Sequence, residues 1–253
     1  MRPRGHDSDS RTALRGYRSR CGNSVFATGF WQCDAACSTL VHMRLAIRSL
    51  LTCLLMATAY AAQAAPALYR FDRVHSQILF SVSHDGYASA LGMLHIAAGW
   101  LRFDPDDWKD SAADLSIDLH GVDMGDAAWN KVVRGESLLD AAQHRYARFT
   151  STAVRRTGPD TGLLEGTLTL RGVTQPVRIA FRLNRLGRSL YTLGREAAGF
   201  SASAVLDRTA FGITRNPDAI GEHVTLRLEI EALRDDQAGT HYRAWRKEHA
   251  AAQ

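Results

Sequence analysis

Eight histidines stand in residues 65–253: His75, His84, His95, His120, His144, His223, His241 and His249. A zinc centre built on one element needs imidazoles at i, i+4 on a helix or i, i+2 on a strand, and no two of these have that spacing. No metal ligands are assigned. The motifs of unassisted hydrolysis, dinucleotide binding and phosphate binding are also absent: no Gly-x-Ser-x-Gly, no His-Glu-x-x-His, no Gly-x-Gly-x-x-Gly and no phosphate loop. Asp207-Arg208, beside Phe211-Gly212, reads as an ion pair that organises a turn. His75 and His84 read as hydrogen-bonding groups at strand ends. No nucleophile, base and orienting group assemble from these residues, so no catalytic residue is assigned. An enzyme reading would have to use His84, His120 or Asp207 near a common cavity.

The elements that would position any such group are strands. In 166–177, Leu168 and Leu170 alternate with Thr167, Thr169 and Arg171. Gly172 breaks the run, and Val177, Ile179, Phe181 and Leu183 resume the alternation in 176–184. Period-2 alternation on both sides of a glycine is the pattern of a β-hairpin with one oily face. The same pattern predicts strands at 76–84, at 92–103 with a kink at Ala97-Ala98-Gly99, and around Leu115, Ile117 and Leu119. Others follow at 147–155, 163–171, 199–207 and 223–233. Between them, Asp126 is a helix N-cap ahead of Trp129, Val132 and Val133, with Leu138 and Leu139 two turns on. Gly135 leaves two short helices as open as one. About eight long antiparallel strands with a continuous apolar face favour closure into a barrel, because closure removes exposed edges. The fold class is therefore all-β, an antiparallel barrel of about eight strands with a short helical insert.

The chain ends are of another character. Met43-Arg44-Leu45-Ala46-Ile47-Arg48 leads into an uncharged run from Ser49 to Ala62, and Ala62-Gln63-Ala64 is a small-x-small cleavage pattern. That is the order of a secretory signal peptide, here 43–64, and its apolar core is too short for the roughly 20 residues of a spanning helix. The expectation is export to the periplasm, cleavage, and no stable membrane span afterwards. Residues 1–42 read as an upstream extension outside the fold. Residues 65–234 make the barrel domain, and 235–253 a polar C-terminal tail, frayed or a short helix. The first 64 residues hold eight Arg and three Asp, which is the whole net charge of +5. The remainder balances at 23 Lys+Arg against 23 Asp+Glu, so the basic isoelectric point is no argument for nucleic acid. All four cysteines lie in the first 64 residues, and the barrel must be stabilised by burial without disulfides.

Several ordered motifs resemble one family. They are Phe71-Asp72-x-x-His75-Ser76-x-Ile78-x-Phe80-x-Val82-x-His84, Gly99 with Phe103-Asp104, Ser137-Leu138-Leu139-Asp140 and Phe149-Thr150-Ser151. Then come Gly166-x-Leu168-Thr169-Leu170-x-Gly172-Val173-Thr174-x-Pro176-Val177, Asp207-Arg208-x-x-Phe211-Gly212 and Val224-x-Leu226-x-Leu228-x-Ile230-Glu231. Across about residues 68–233 the chain resembles the YceI-like family of exported lipid-binding proteins. The resemblance implies an extended, lipocalin-like barrel whose lumen takes an isoprenoid or other long-chain amphiphile, of polyprenyl or isoprenoid quinone type.

The inward set expected to line that lumen is Phe80, Val82, Leu101, Phe103, Ile117, Leu119, Phe149, Leu168, Leu170, Ile179, Phe181, Phe200, Ala202, Ala204 and Leu226. The small Ala202 and Ala204 face a cavity more naturally than a dry core. The expected function is to carry or sequester the lipid, with no cofactor beyond it and a homodimer left open. The alternatives are an enzyme acting on such a lipid, and a stress-related barrel with an empty lumen.

Overall fold

A computed structural model describes residues 66–250. The expected signal peptide, the 1–42 extension and the last three residues lie outside the described residues. Nine strands run β1 (Ala67–Phe71), β2 (Gln77–His84), β3 (Ala88–Phe103), β4 (Ala112–Asp123), β5 (Tyr146–Arg156), β6 (Thr161–Leu170), β7 (Val173–Arg188), β8 (Glu196–Asp207) and β9 (Ile220–Arg234). Helix α1 (Ala127–Arg134) lies between β4 and β5, and α2 (Ala238–Glu248) follows β9. Among the described residues no helix is long and apolar enough to cross a membrane.

The nine strands close an eight-stave, antiparallel barrel. Each neighbours the next in sequence from β4 to β9, β9 pairs with β2, β2 with β3, and β3 with β4. The ninth strand fits because β1 and β2 lie end to end in one stave. On β3, β1 takes Trp100 to Phe103 and β2 takes Ala88 to Leu94. On β9, β1 takes Ala232 to Arg234 and β2 takes Ile220 to Glu229. The break between them is a turn in which the Asp72 carboxylate accepts the N–H of Val74 (2.9 Å) and meets His75 Nδ1 at 2.9 Å. Ser76 Oγ then donates to the Glu231 carbonyl (3.0 Å) and accepts the Glu231 N–H (3.1 Å), stitching the stave back to β9. The sequence reading missed β1, whose alternation of Ala67, Tyr69 and Phe71 inward is only five residues long.

The β6–β7 hairpin turns on Arg171 and Gly172, both in the left-handed region (φ 52° and 74°), as a two-residue turn between twisted strands requires. Pro176 then sits where β7 faces no β8 partner, because that pairing begins only at Ala180, so its missing N–H costs the sheet nothing. The kink expected in β3 is a bulge, with register shifts between Met93 and His95 and between Ile96 and Ala98. Asp126 caps α1, accepting the Trp129 N–H at 2.9 Å. Leu138 and Leu139 fall in a hydrogen-bonded turn after Gly135 rather than in a second helix.

The stretch expected as a frayed tail or short helix is α2, docked on the outer face of β3. The small residues Ala97, Ala98 and Gly99 border the groove it occupies. Its Tyr242 is 3% exposed. The phenol meets Ser116 Oγ at 2.9 Å and donates to Asp114 Oδ1 at 3.1 Å, while Arg148 grips the same carboxylate at 3.0 and 2.6 Å. Burial, with the Asp114 charge in support, raises the Tyr242 pKa above the ordinary phenol value.

Candidate functional site

The barrel interior holds two apolar chambers. The first, of about 140 Å³, is lined by Leu101, Phe103, Phe149, Ile179, Phe181, Phe200 and Ala202 from the expected set. The second, of about 180 Å³, is lined by Phe80, Val82, Leu119 and Leu170. Ile117, Leu168 and Leu226 line both, and with Ile78 and Leu206 they form the waist where the chambers meet. Each chamber is comparable to an engineered cavity of about 150 Å³ that stays dry and admits benzene. Of the expected lining, only Ala204 borders neither chamber. It is 7% exposed, opposite Leu226, and packs into the wall. Facing inward is not enough for a small residue whose larger neighbours close over it.

Besides Gly166, whose added Cβ would come within 2.6 Å of Phe149 Cζ, two glycines lie directly opposite phenyl rings that would otherwise need room in the lumen. Phe181 lies opposite Gly162, where an added Cβ would come within 2.5 Å of Phe181 Cζ. Phe80 lies opposite Gly92, where the approach would be 2.3 Å. Each ring leans over a bare backbone on the adjacent strand, so volume is left along the axis. The sequence reading missed both, because a glycine within a strand signals close approach but not what approaches.

The two ends differ. At one, the β3–β4 connection carries a 3₁₀ turn, Trp108–Asp110. The buried Trp108 stacks on Phe181 (5.4 Å between centroids) and meets Phe103 edge-on (5.6 Å). The Arg156 guanidinium lies 4.8 Å from its ring centroid, a cation–π contact that holds the plug in place. At the other end, Trp129 and Val133 of α1, Leu138 and Leu139 of the following turn, Phe211 and Ile213 of the β8–β9 connection, and Ile220 at the start of β9 line the second chamber. None was in the expected set. All but Ile220, the first residue of β9, come from a helix and loops, where period-2 alternation carries no signal.

Arg208 also borders the second chamber and is 4% exposed. The expected Asp207–Arg208 ion pair does not form. The guanidinium instead donates to the carbonyls of Gly221 (2.8 Å), Ile213 (2.5 Å) and Ile220 (2.6 Å), tying down the long β8–β9 connection. Asp207 caps the following turn, accepting from the Thr209 hydroxyl (2.6 Å) and N–H (2.7 Å), and these bonds depress its pKa.

The residues an enzyme reading requires do not converge. His84 borders the second chamber, its ring edge-on to Trp129 at 6.0 Å. His120 is exposed, and Asp207 borders a shallow outer groove between β7 and β8. Among the described residues one trio, Asp72, His75 and Glu231, brings potential metal-ligand atoms within 4.8 Å of one another. It sits at the β1–β2 turn that Asp72 and His75 already build, and its His75 and Glu231 are exposed. The hydrogen bond and charge of Asp72 raise the His75 pKa.

Comparison with known proteins agrees with this geometry. A family model described as the YceI-like domain matches residues 69–232. A UPF0312 protein of Ectopseudomonas mendocina is 32% identical over 74% of this chain and 99% of its own length. A UPF0312 protein of Azotobacter vinelandii is 33% identical over 69% of this chain and 91% of its own. The crystal structure of Burkholderia cenocepacia BcnA superposes with a TM-score of 0.56 at 21% identity, covering 64% of this chain and 98% of that one, which speaks to the fold. An eight-stave barrel with an apolar lumen, a family-model match spanning that barrel and relatives aligned over nearly their whole length place this chain in the YceI-like family.

Proposed function

We propose that this protein is exported and binds a long-chain amphiphile of isoprenoid type, a polyprenyl lipid or isoprenoid quinone, whose tail threads the two chambers. The observation that carries the reading is the pair of apolar chambers meeting at one waist inside a closed barrel. Such a space suits a slender unbranched or methyl-branched chain better than a compact polar metabolite. A tail giving up about 300 Å² of apolar surface gains about 7.5 kcal/mol at roughly 25 cal/mol per Å². An association cost of about 4 kcal/mol or more is set against that gain, so the tail must fill both chambers to be retained. The role is carriage or sequestration rather than turnover, since the candidate acid–base groups face different sides of the wall. Export rests on the signal-like order of residues 43–64.

The direct test is uptake by delipidated protein. Titration with a fluorescent isoprenoid should saturate at one equivalent, and unlabelled polyprenol should displace it while a short-chain alcohol should not. Absence of saturable uptake would overturn the reading. N-terminal sequencing of the accumulated protein should begin near Ala65.

A further inference from the structure

The β7–β8 hairpin ends in a surface that the lumen does not explain. Its tip exposes Leu190, Tyr191 and Leu193 at 93%, 101% and 90%, three large apolar side chains within four residues. The loop is nonetheless built. Thr192 folds back, its hydroxyl oxygen lying 2.6 Å from the Arg195 carbonyl and 2.9 Å from the Ser189 carbonyl, with its one proton to donate to either, and the Gly194 N–H reaches the Ser189 carbonyl (3.0 Å). The polar residue of the tip is spent on the loop, and the apolar ones are turned out. Leu193 holds a left-handed conformation (φ 51°), a position better suited to glycine or asparagine, and Gly194 follows at φ 76°. An exposed leucine held on an unfavourable backbone gains nothing for the fold. Earlier in the same hairpin, Leu186 packs against the core, so the apolar tip is not spillover from it.

Charge identifies the partner. Residues 184–195 contain Arg185, Arg188 and Arg195 and no acidic residue. Among the described residues none of the three pairs with a carboxylate, and Arg185 and Arg195 reach the carbonyls of Arg188 and Arg234. Barrel arginines such as Arg155, Arg178 and Arg182 do have carboxylate partners. Leucine and tyrosine at a tip, collared by arginines free to meet phosphates, match the layering of a bilayer interface.

We infer that the β7–β8 hairpin tip docks the protein on an anionic lipid bilayer, with Leu190, Tyr191 and Leu193 entering the interface and Arg185, Arg188 and Arg195 contacting headgroup phosphates. The inference goes beyond the lumen reading and does not depend on what fills the chambers. Three arginines near an anionic surface are together worth roughly a hundredfold in partitioning, a gain that salt should erode.

The test is cosedimentation, using the protein in the processed form that accumulates in cells, with vesicles of phosphatidylcholine alone or with 30% phosphatidylglycerol. Binding should favour the anionic vesicles by tenfold or more. The combined substitution Arg185→Gln, Arg188→Gln and Arg195→Gln should abolish that preference. The combined substitution Leu190→Ser, Tyr191→Ser and Leu193→Ser should lower binding to anionic vesicles at least tenfold, with the amount of lipid extracted from the lumen unchanged. A Tyr191→Trp variant should show bromolipid quenching beyond that of the parent. Equal sedimentation of parent and serine variant would overturn the inference. So would self-association of the parent that the serine substitutions abolish, which would make the tip a contact between copies.

Discussion

Replacing Ala202 with tryptophan puts an indole into the first chamber while leaving the wall's hydrogen bonds alone. Ala202 lies on β8 between Phe181 of β7 and Leu228 of β9, and its methyl borders a space of about 140 Å³. An indole is larger than the benzene that a cavity of that size accepts, so it fills the chamber. A tail denied that chamber leaves about 100 Å² of apolar surface in water, a loss of about 2.5 kcal/mol, or roughly sixtyfold in affinity. The fold should tolerate the change, because the volume is added where space exists. Ala204→Trp is the internal control. Ala204 is packed and borders neither chamber, so overfilling there should cost about 1–3 kcal/mol of stability. The assay pairs isoprenoid titration with a urea midpoint for each variant. Ala202→Trp should lose affinity and keep its midpoint, and Ala204→Trp should lose its midpoint. An Ala202→Trp protein that folds normally and binds the isoprenoid with unchanged affinity would refute the assignment of the first chamber to the tail.

Gly162→Ala should force Phe181 off its seat and toward the axis, lowering the urea midpoint by the equivalent of about 1–3 kcal/mol and weakening isoprenoid uptake. Arg208→Met should strip donors from three carbonyls, Ile213 of the β8–β9 connection and Ile220 and Gly221 at the start of β9, and cost about 3 kcal/mol or more. Asp207→Asn, which keeps an acceptor for the turn after β8, should stay within about 0.5 kcal/mol of the parent. Urea midpoints of the two variants measure both. Tyr242 sets an alkaline limit. With its folded pKa raised by burial, its contribution is fully present below the unfolded phenol value of about 10 and is lost as pH rises through the folded value. Midpoints between pH 8 and 11 should fall more steeply in the parent than in Tyr242→Phe.

The barrel was legible wherever one face of a strand is buried and the other wet. Leu168, Leu170, Ile179 and Phe181 show the alternation plainly, and their strands stand where the pattern put them, with ends shifted by a few residues. β1 escaped because five residues give too few alternations to stand out, although Tyr69 and Phe71 are deeply buried. Alternation assigns a side, not a cavity, and so it could not separate Ala202, which borders the first chamber, from Ala204, which is sealed in the wall. Arg208 was misread for a related reason. Adjacent opposite charges suggest an ion pair, but the chain turns helical at Arg208, the Asp207 carboxylate is taken by Thr209, and the buried guanidinium finds carbonyls more than ten residues later at Ile220 and Gly221. The glycine seats under Phe80 and Phe181 depend on cross-strand register, which a single strand's sequence does not contain.

The central claim is that the lumen holds an isoprenoid-type tail without transforming it. Native mass spectrometry of the purified protein, followed by organic extraction, tests it most directly. The account predicts an adduct of one lipid per chain, released intact as a polyprenyl or quinone species and chemically the same from the parent and from His84→Ala. Protein that carries no lipid would contradict it. So would a lipid found covalently altered in the parent but not in His84→Ala.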